Sequence, residues 1–259
     1  MKAMNRRKLF YVLGLGAVGS LSGVSSRLEA IQGPAREWID LFNGKDLEGW
    51  RIECTPKDRD KVFWTVADGA IECNSLGRPD HDYVWLLHER EFSDFELRVR
   101  FQAFRESPGN TGIQVRSRFD GSAEAISGGW LDGPQVDIHP PGPWRTGLIY
   151  DETREEKRWI QPSLPDWNID RDRGPAEVLF FYADQEPGWN ELRIVCDGLR
   201  ILTYLNDRQV TDFDGSGILN NEAHLRHRVG LSGHIALQLH MGDELKVRFR
   251  DLRLRPLAG

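Results

Sequence analysis

Cysteine is scarce in this chain, with three residues among 259, Cys54, Cys73 and Cys196. No two have metal-ligand spacing, so nothing suggests a zinc site. One pair, with Cys54 and Cys73 the leading candidates, could bridge in an oxidising compartment and leave a buried spare. Positive charge is not in excess either. A net charge of −6 and a pI near 5.7 argue against a nucleic-acid footprint. The most apolar run, Leu9 to Val18, is too short and too glycine-rich to span a bilayer comfortably. No stretch gives a convincing ten-residue amphipathic helix, and there is no internal repeat.

What the N-terminus does contain is Asn5-Arg6-Arg7-Lys8-Leu9-Phe10, a basic segment ahead of that apolar run, then Gly- and Ser-rich sequence to Ser26. Residues 1–30 read as a cleaved export signal, and the paired arginines point to the twin-arginine route. No cysteine lies near the expected cleavage region, so no lipoprotein anchor is expected. Residues 31–37 read as a linker. Export removes five cations and one carboxylate, leaving an acidic periplasmic or extracellular domain near −10 against −6 for the whole chain. At 39% hydrophobic and 10% aromatic residues, the remainder can bury one sizeable core.

That remainder, residues 38–256, is a series of short strands. Phe63-Trp64-Thr65-Val66 and Ala70-Ile71-Glu72-Cys73 flank an Asp68-Gly69 turn. Along Phe95–Phe104, Phe95, Leu97, Val99 and Phe101 fall on one face and Glu96, Arg98, Arg100 and Gln102 on the other, and Gly112–Arg118 alternates again. Val178–Tyr182 reads as the one strand inside a long charged segment at 151–188. The pattern predicts an all-β fold, a two-sheet jelly-roll sandwich.

The stretch Trp130–Arg154 concentrates the chemistry. Gln135, Asp137 and His139 share one strand face while Val136 and Ile138 share the other. A Pro/Gly-rich turn follows, then Gly147–Tyr150 leading into Asp151, Glu152 and Arg154. Near the C-terminus Gln238 and His240 face opposite to Leu237 and Leu239. These groups predict a polar cleft. A histidine moves protons readily near neutral pH. Asp137 is the leading carboxylate, as base, metal ligand or acceptor for sugar hydroxyls. Arg116 could polarise a carbonyl, or simply pair with Asp137. Tyr150 can donate a proton, Trp130 and Trp144 suit stacking on a pyranose, and Asp151, Glu152 and Arg154 are rim candidates. Asp137, His139 and His240 together could hold a divalent metal.

Several stretches, in order, resemble the 3-keto-disaccharide hydrolase domain family, which has a concanavalin-A-like jelly roll. They are Leu41–Trp50, Phe92–Leu97, Asn110–Arg116, Thr146–Tyr150, Gly188–Asn190, Gly233–His240 and Val247–Leu252. Many family members carry a glutamate where this chain has Gln135, and the Tyr150-Asp151-Glu152-x-Arg154 run resembles one branch only. The resemblance implies cleavage of glycosides already oxidised to a ketone at carbon 3, with an upstream sugar 3-oxidoreductase as metabolic partner. It also places the Gln238-x-His240 pair in the cleft. On this reading His240 or Asp137 removes the acidified carbon-2 proton, Arg116 or a metal holds the enolate, and elimination then hydration sum to hydrolysis. Two other readings stay open: a lectin-like carbohydrate-binding module without turnover, and a conventional glycosidase with two carboxylates.

Overall fold

The computed structural model describes residues 37–161 and 180–257. The expected export signal and nearly all of the linker lie outside the described residues, as does the start of the strand expected at Val178–Tyr182. Of that strand the described part makes a single parallel bridge, Tyr182 to Ala103.

In chain order the strands are β1 (Ile39–Asp40), β2 (Trp50–Cys54), β3 (Trp64–Ala67), β4 (Ala70–Asn74), β5 (Val84–Phe92), β6 (Phe95–Ala103), β7 (Thr111–Asp120) and β8 (Trp130–Asp132). They continue as β9 (Pro134–Ile138), β10 (Ile149–Asp151), β11 (Arg158–Gln161), β12 (Asn190–Asp197), β13 (Arg200–Leu205), β14 (Arg208–Asp214), β15 (Gly233–Leu239) and β16 (Lys246–Pro256). A short helix, α1 (Glu222–His227), is capped by the Asn221 side chain.

Among the described residues they form two eight-stranded sheets. One, here the back sheet, runs β14-β13-β12-β6-β16-β4-β3 with β1 on β16; the other, the cleft sheet, runs β11-β10-β9-β7-β15-β5-β2 with β8 on β7. Sequence neighbours such as β5 and β6, or β15 and β16, sit in opposite sheets. That interleaving makes the sandwich a lectin-like jelly roll, as the strand pattern predicts.

Two-residue alternation builds the core. Phe95, Leu97, Val99, Phe101 and Ala103 of β6 are fully buried against Ile235, Leu237 and Leu239 of β15 and their neighbours. Arg98 and Arg100 of β6 point the other way, into ion pairs with Glu191 and Asp251. The cleft sheet is unusual in being buried on both faces over part of its width. A second apolar cluster, Trp85, Leu87, Ala125, Trp130, Leu131 and Ala236, covers its outer side. This cluster is the solid base beside which the polar cleft opens.

All three cysteines are free and buried, which corrects the expected Cys54–Cys73 bridge. Cys54 ends β2 of the cleft sheet and Cys73 lies in β4 of the back sheet. Facing sheets stand ~10 Å apart, beyond the ~7 Å Cα separation a disulfide can span. Burial, the main cause, pushes both thiols up, so neither is poised as a thiolate.

Candidate active site

The cleft forms on the outer face of β9, β10, β11 and the end of β15. Alternation along β9 sends Gln135 and Asp137 outward, and pairing of Tyr150 with Gln135 across β10 brings the phenol alongside. Gly112 of β7 makes room, since a Cβ there would lie 2.6 Å from Cδ of Gln135. The turn after β9 then carries Arg145 back over Asp137. Its Nε and Nη2 each donate to Oδ2 of Asp137 at 3.0 Å, and its guanidinium lies 4.8 Å from the Trp159 ring centre. Tyr83, Asn110, Glu152, Lys157 and His240 complete the lining of a cavity of about 230 Å³.

Glu152 is the most perturbed carboxyl in this cavity. Burial pushes it up to about 7, against the pull of Lys157, of His240 and of the Gln238 amide, whose Nε2 donates to Oε1 at 3.4 Å. Its backbone is fixed on both sides: the amide donates to Gly133 and the carbonyl accepts from the Trp130 indole at 2.8 Å. Asp137 is also raised by burial, with Arg145 and Asn110 opposing. His240 moves the other way from what its burial would produce. Burial disfavours the imidazolium, but the Asp243 carboxylate 3.4 Å from Nδ1 and the charge of Glu152 outweigh it, so its proton affinity is raised. The site thus pairs a carboxyl that titrates near neutrality with an imidazole of raised proton affinity, the division of labour an acid–base site needs.

Gln135, Asp137, Tyr150, Glu152 and His240 are therefore gathered in one cavity, Gln135, Asp137 and His240 on the face that strand parity predicts. Gln238 lies fully buried beneath them and reaches the cleft through Glu152. His139, lowered to about 4 by burial and by the charge of Arg145, stands half-buried beside the Gly142–Trp144 turn, and neither it nor Trp144 lines the cavity. Among the described residues no three of His, Cys, Asp and Glu come together as a metal-binding group. Of the three expected ligands, Asp137 pairs with Arg145 and His240 with Asp243 and Tyr83.

Four expected residues lie elsewhere. Arg116 adopts φ +52° where Ile235 of β15 opposes both Val115 and Arg116, a β-bulge that breaks the alternation. Its side chain turns into the end of the sandwich, fully buried. There it donates to the carbonyls of Ser93, Gly198 (2.6 Å) and Gly230 (3.1 Å) and to Oδ1 of Asp94 (2.8 Å). The cation on Asp137 is Arg145 instead. Trp130 is a core residue, 3% exposed, packed edge-on to Tyr83 and Trp85. Asp151 takes the inward parity beside Tyr150 and lies 3.3 Å from the buried His224 ring. Arg154 is held by Asp132 and Asp120.

The residues missed in the sequence are Tyr83, Asn110, Arg145, Lys157, Trp159 and Asp243. Spacing carried some signal for two of them. Arg145 follows Asp137 across a Pro/Gly turn that doubles the chain back, and Asp243 follows His240 by three residues. A larger depression of about 630 Å³ lies on the outer face of the back sheet. Of its three arginines, Arg98 is matched by Glu191, Arg100 by Asp251, and Arg253 lies over the Trp38 ring, so it is a largely salt-bridged sheet face.

Solved structures of this shape include a protein of Parabacteroides distasonis ATCC 8503 provisionally described as a glycosyl hydrolase. It has a TM-score of 0.51 and 18% identity, over 85% of this chain and 94% of that one. An endo-acting O-glycanase of the human gut microbiota gives 0.50 and 10%, over 86% and 100%. The carbohydrate-binding module CBM66 of Bacillus subtilis gives 0.46 and 15%, over 80% and 95%. At these identities the first two show a likeness of fold alone. No curated protein sequence matches the chain significantly. Residues 37–255 match the model of the 3-keto-alpha-glucoside-1,2-lyase-like domain, in line with the resemblance carried by the sequence motifs, and the chain belongs to that carbohydrate-related family.

Proposed function

We propose that the protein cleaves 3-keto-glycosides by elimination followed by hydration, in the periplasm or outside the cell after export. The observation that carries this reading is Glu152, a buried carboxyl whose proton affinity is tuned to about 7 inside the polar cleft. A ketone at carbon 3 acidifies the carbon-2 hydrogen, and a base that titrates near the working pH is matched to removing it. Glu152 takes that proton and charge develops on the carbonyl oxygen. The Arg145 guanidinium, fixed by Asp137 and Trp159, meets that charge, and such preorganised stabilisation is usually the largest catalytic contribution. When the enolate re-forms the ketone, the carbon-1 bond to the departing oxygen breaks, and that oxygen leaves with a proton from the His240 side of the cleft. Water then adds across the carbon-1 to carbon-2 double bond. The substrate is supplied by an oxidoreductase acting at carbon 3 of the sugar.

The test is incubation of purified protein with a 3-keto-glycoside and with its unoxidised parent, measuring released aglycone, with deuterium uptake at carbon 2 in heavy water. Release from the keto form alone, with exchange, is the expected result. Release from the parent would make the protein a conventional glycosidase, and tight binding without product would make it a lectin-like module.

A further inference from the structure

Both ring nitrogens of His240 are engaged before any substrate arrives. Nδ1 lies 3.2 Å from the Met241 carbonyl and 3.4 Å from Oδ2 of Asp243. Those oxygens accept, so Nδ1 carries a hydrogen. Nε2 lies 3.1 Å from the Tyr83 hydroxyl, accepting from it when the ring is neutral and donating to it when the ring is charged. No nitrogen is left to meet a sugar. The Tyr83 hydroxyl, by contrast, belongs to a residue that itself lines the cleft. Its ring is stacked on Trp85 at 5.5 Å and set edge-on to Trp130 at 5.1 Å and to His240 at 4.9 Å, which fixes it on three sides. Asp243 is fixed in turn by the backbone amide of Asn110, which donates to it at 2.7 Å.

Resting on the reaction proposed above, we propose that Asp243, His240 and Tyr83 form a relay in which Tyr83 is the catalytic hydroxyl that protonates the departing glycosidic oxygen, while His240 acts through it. As the carbon-1 to oxygen bond breaks, the Tyr83 proton passes to the leaving oxygen and the Nε2 proton of His240 passes to the Tyr83 oxygen. His240 ends neutral and Glu152 ends carrying the carbon-2 proton. Hydration runs the transfers backwards: water gives a proton through Tyr83 to His240 and hydroxide to carbon 1, and Glu152 returns its proton to carbon 2. Both groups are restored. Burial, with the nearby charge of Glu152, pushes the phenol well above its ordinary range, so it meets the substrate protonated. Asp243 is a positioning residue, keeping the imidazole in the orientation that recharges Tyr83.

Tyr83→Phe keeps the aromatic packing and removes only the hydroxyl. On a methyl 3-keto-glucoside, whose leaving alkoxide needs a proton, kcat falls about 10²–10³-fold, the range for loss of a general acid. On the 4-nitrophenyl 3-keto-glucoside, whose leaving group needs none, the loss stays under about fivefold. His240→Ala shows the same contrast. Equal losses on both substrates, or none on the methyl glycoside, would overturn the relay. If the unmodified protein cleaves neither substrate, the reaction proposed above falls. The relay is then tested on the hydrogen bond itself: by ¹⁵N NMR the Nε2 resonance and titration of His240 shift in Tyr83→Phe, and an unchanged spectrum would refute it.

Discussion

If Arg116 is a structural tie, its removal must show as lost stability and leave chemistry largely intact. The buried guanidinium joins three connections, the β5–β6 turn at Ser93–Asp94, the β12–β13 turn at Gly198, and Gly230 ahead of β15, so it links the two sheets at one end. Arg116→Met keeps the volume and strands three carbonyls and Asp94, whose Oδ1 would retain only the Gly198 amide at 2.8 Å. Breaking a buried charged network by removing one partner costs about 3–5 kcal/mol. Asp94→Asn is gentler. Its amide oxygen still accepts from Arg116 and Gly198, and the carboxylate is 30% exposed, so only part of the charge stabilisation is lost, about 1 kcal/mol.

At about 2–4 °C per kcal/mol for a domain of this size, the melting temperature should fall roughly 6–20 °C for Arg116→Met and 2–4 °C for Asp94→Asn. The assays are thermal denaturation and turnover of the keto substrate, both per folded molecule at a temperature where each variant is folded. The expected pattern is this graded loss of melting temperature with kcat/KM within about threefold of the parent, since neither residue lines the cleft. A fall in kcat/KM beyond about 100-fold with an unchanged melting temperature would return Arg116 to the catalytic machinery and refute the placement.

Glu152→Gln should lower kcat by about 10²–10⁴-fold, and the rise of the parent rate through pH of about 7, as Glu152 deprotonates, should disappear from its profile. The same residue links pH to stability. Its folded affinity is raised from 4.5 to about 7, so the folded state binds more protons between those values and stability declines as pH rises through them. Glu152→Gln should therefore be more stable than the parent at pH 8, by up to about 3 kcal/mol, with the gap closing towards pH 4.5 in denaturant melts. Arg145→Met should cost about 10²–10³-fold in kcat/KM on keto substrates, measured by aglycone release. Gly112→Ala, with its Cβ forced against Gln135, should raise KM more than it lowers kcat.

The limits of reading this site in the sequence follow from how its residues are carried. Where a side chain sits on an uninterrupted strand, parity decides its face, and Gln135, Asp137, Tyr150 and Gln238 fall where a two-residue period puts them. One inserted residue cancels that rule. Ile113 and Val115 keep the period on β7, but the bulge at Arg116 breaks it, and a sequence gives little warning that φ will be positive at an arginine. Asp151 shows the complementary weakness. Parity sends it inward, yet a carboxylate beside apolar neighbours reads as a rim residue until the buried His224 of α1 is known to lie against it. Trp130 misleads for a third reason, because the cleft sheet has apolar cover on its outer face and an aromatic there is core. Arg145 and Lys157 of the cleft, and Asp243 behind His240, are borne between strands, where no two-residue period operates and long-range folding alone decides what they meet. The carboxylate that matters shows the consequence. Glu152 looks in sequence like one charge in a charged run; what separates it from the exposed Glu155 is desolvation by the walls built around it by β15 and the Trp130 indole, and what separates it from the equally buried Asp151 is that Glu152 opens on the cleft while Asp151 faces His224.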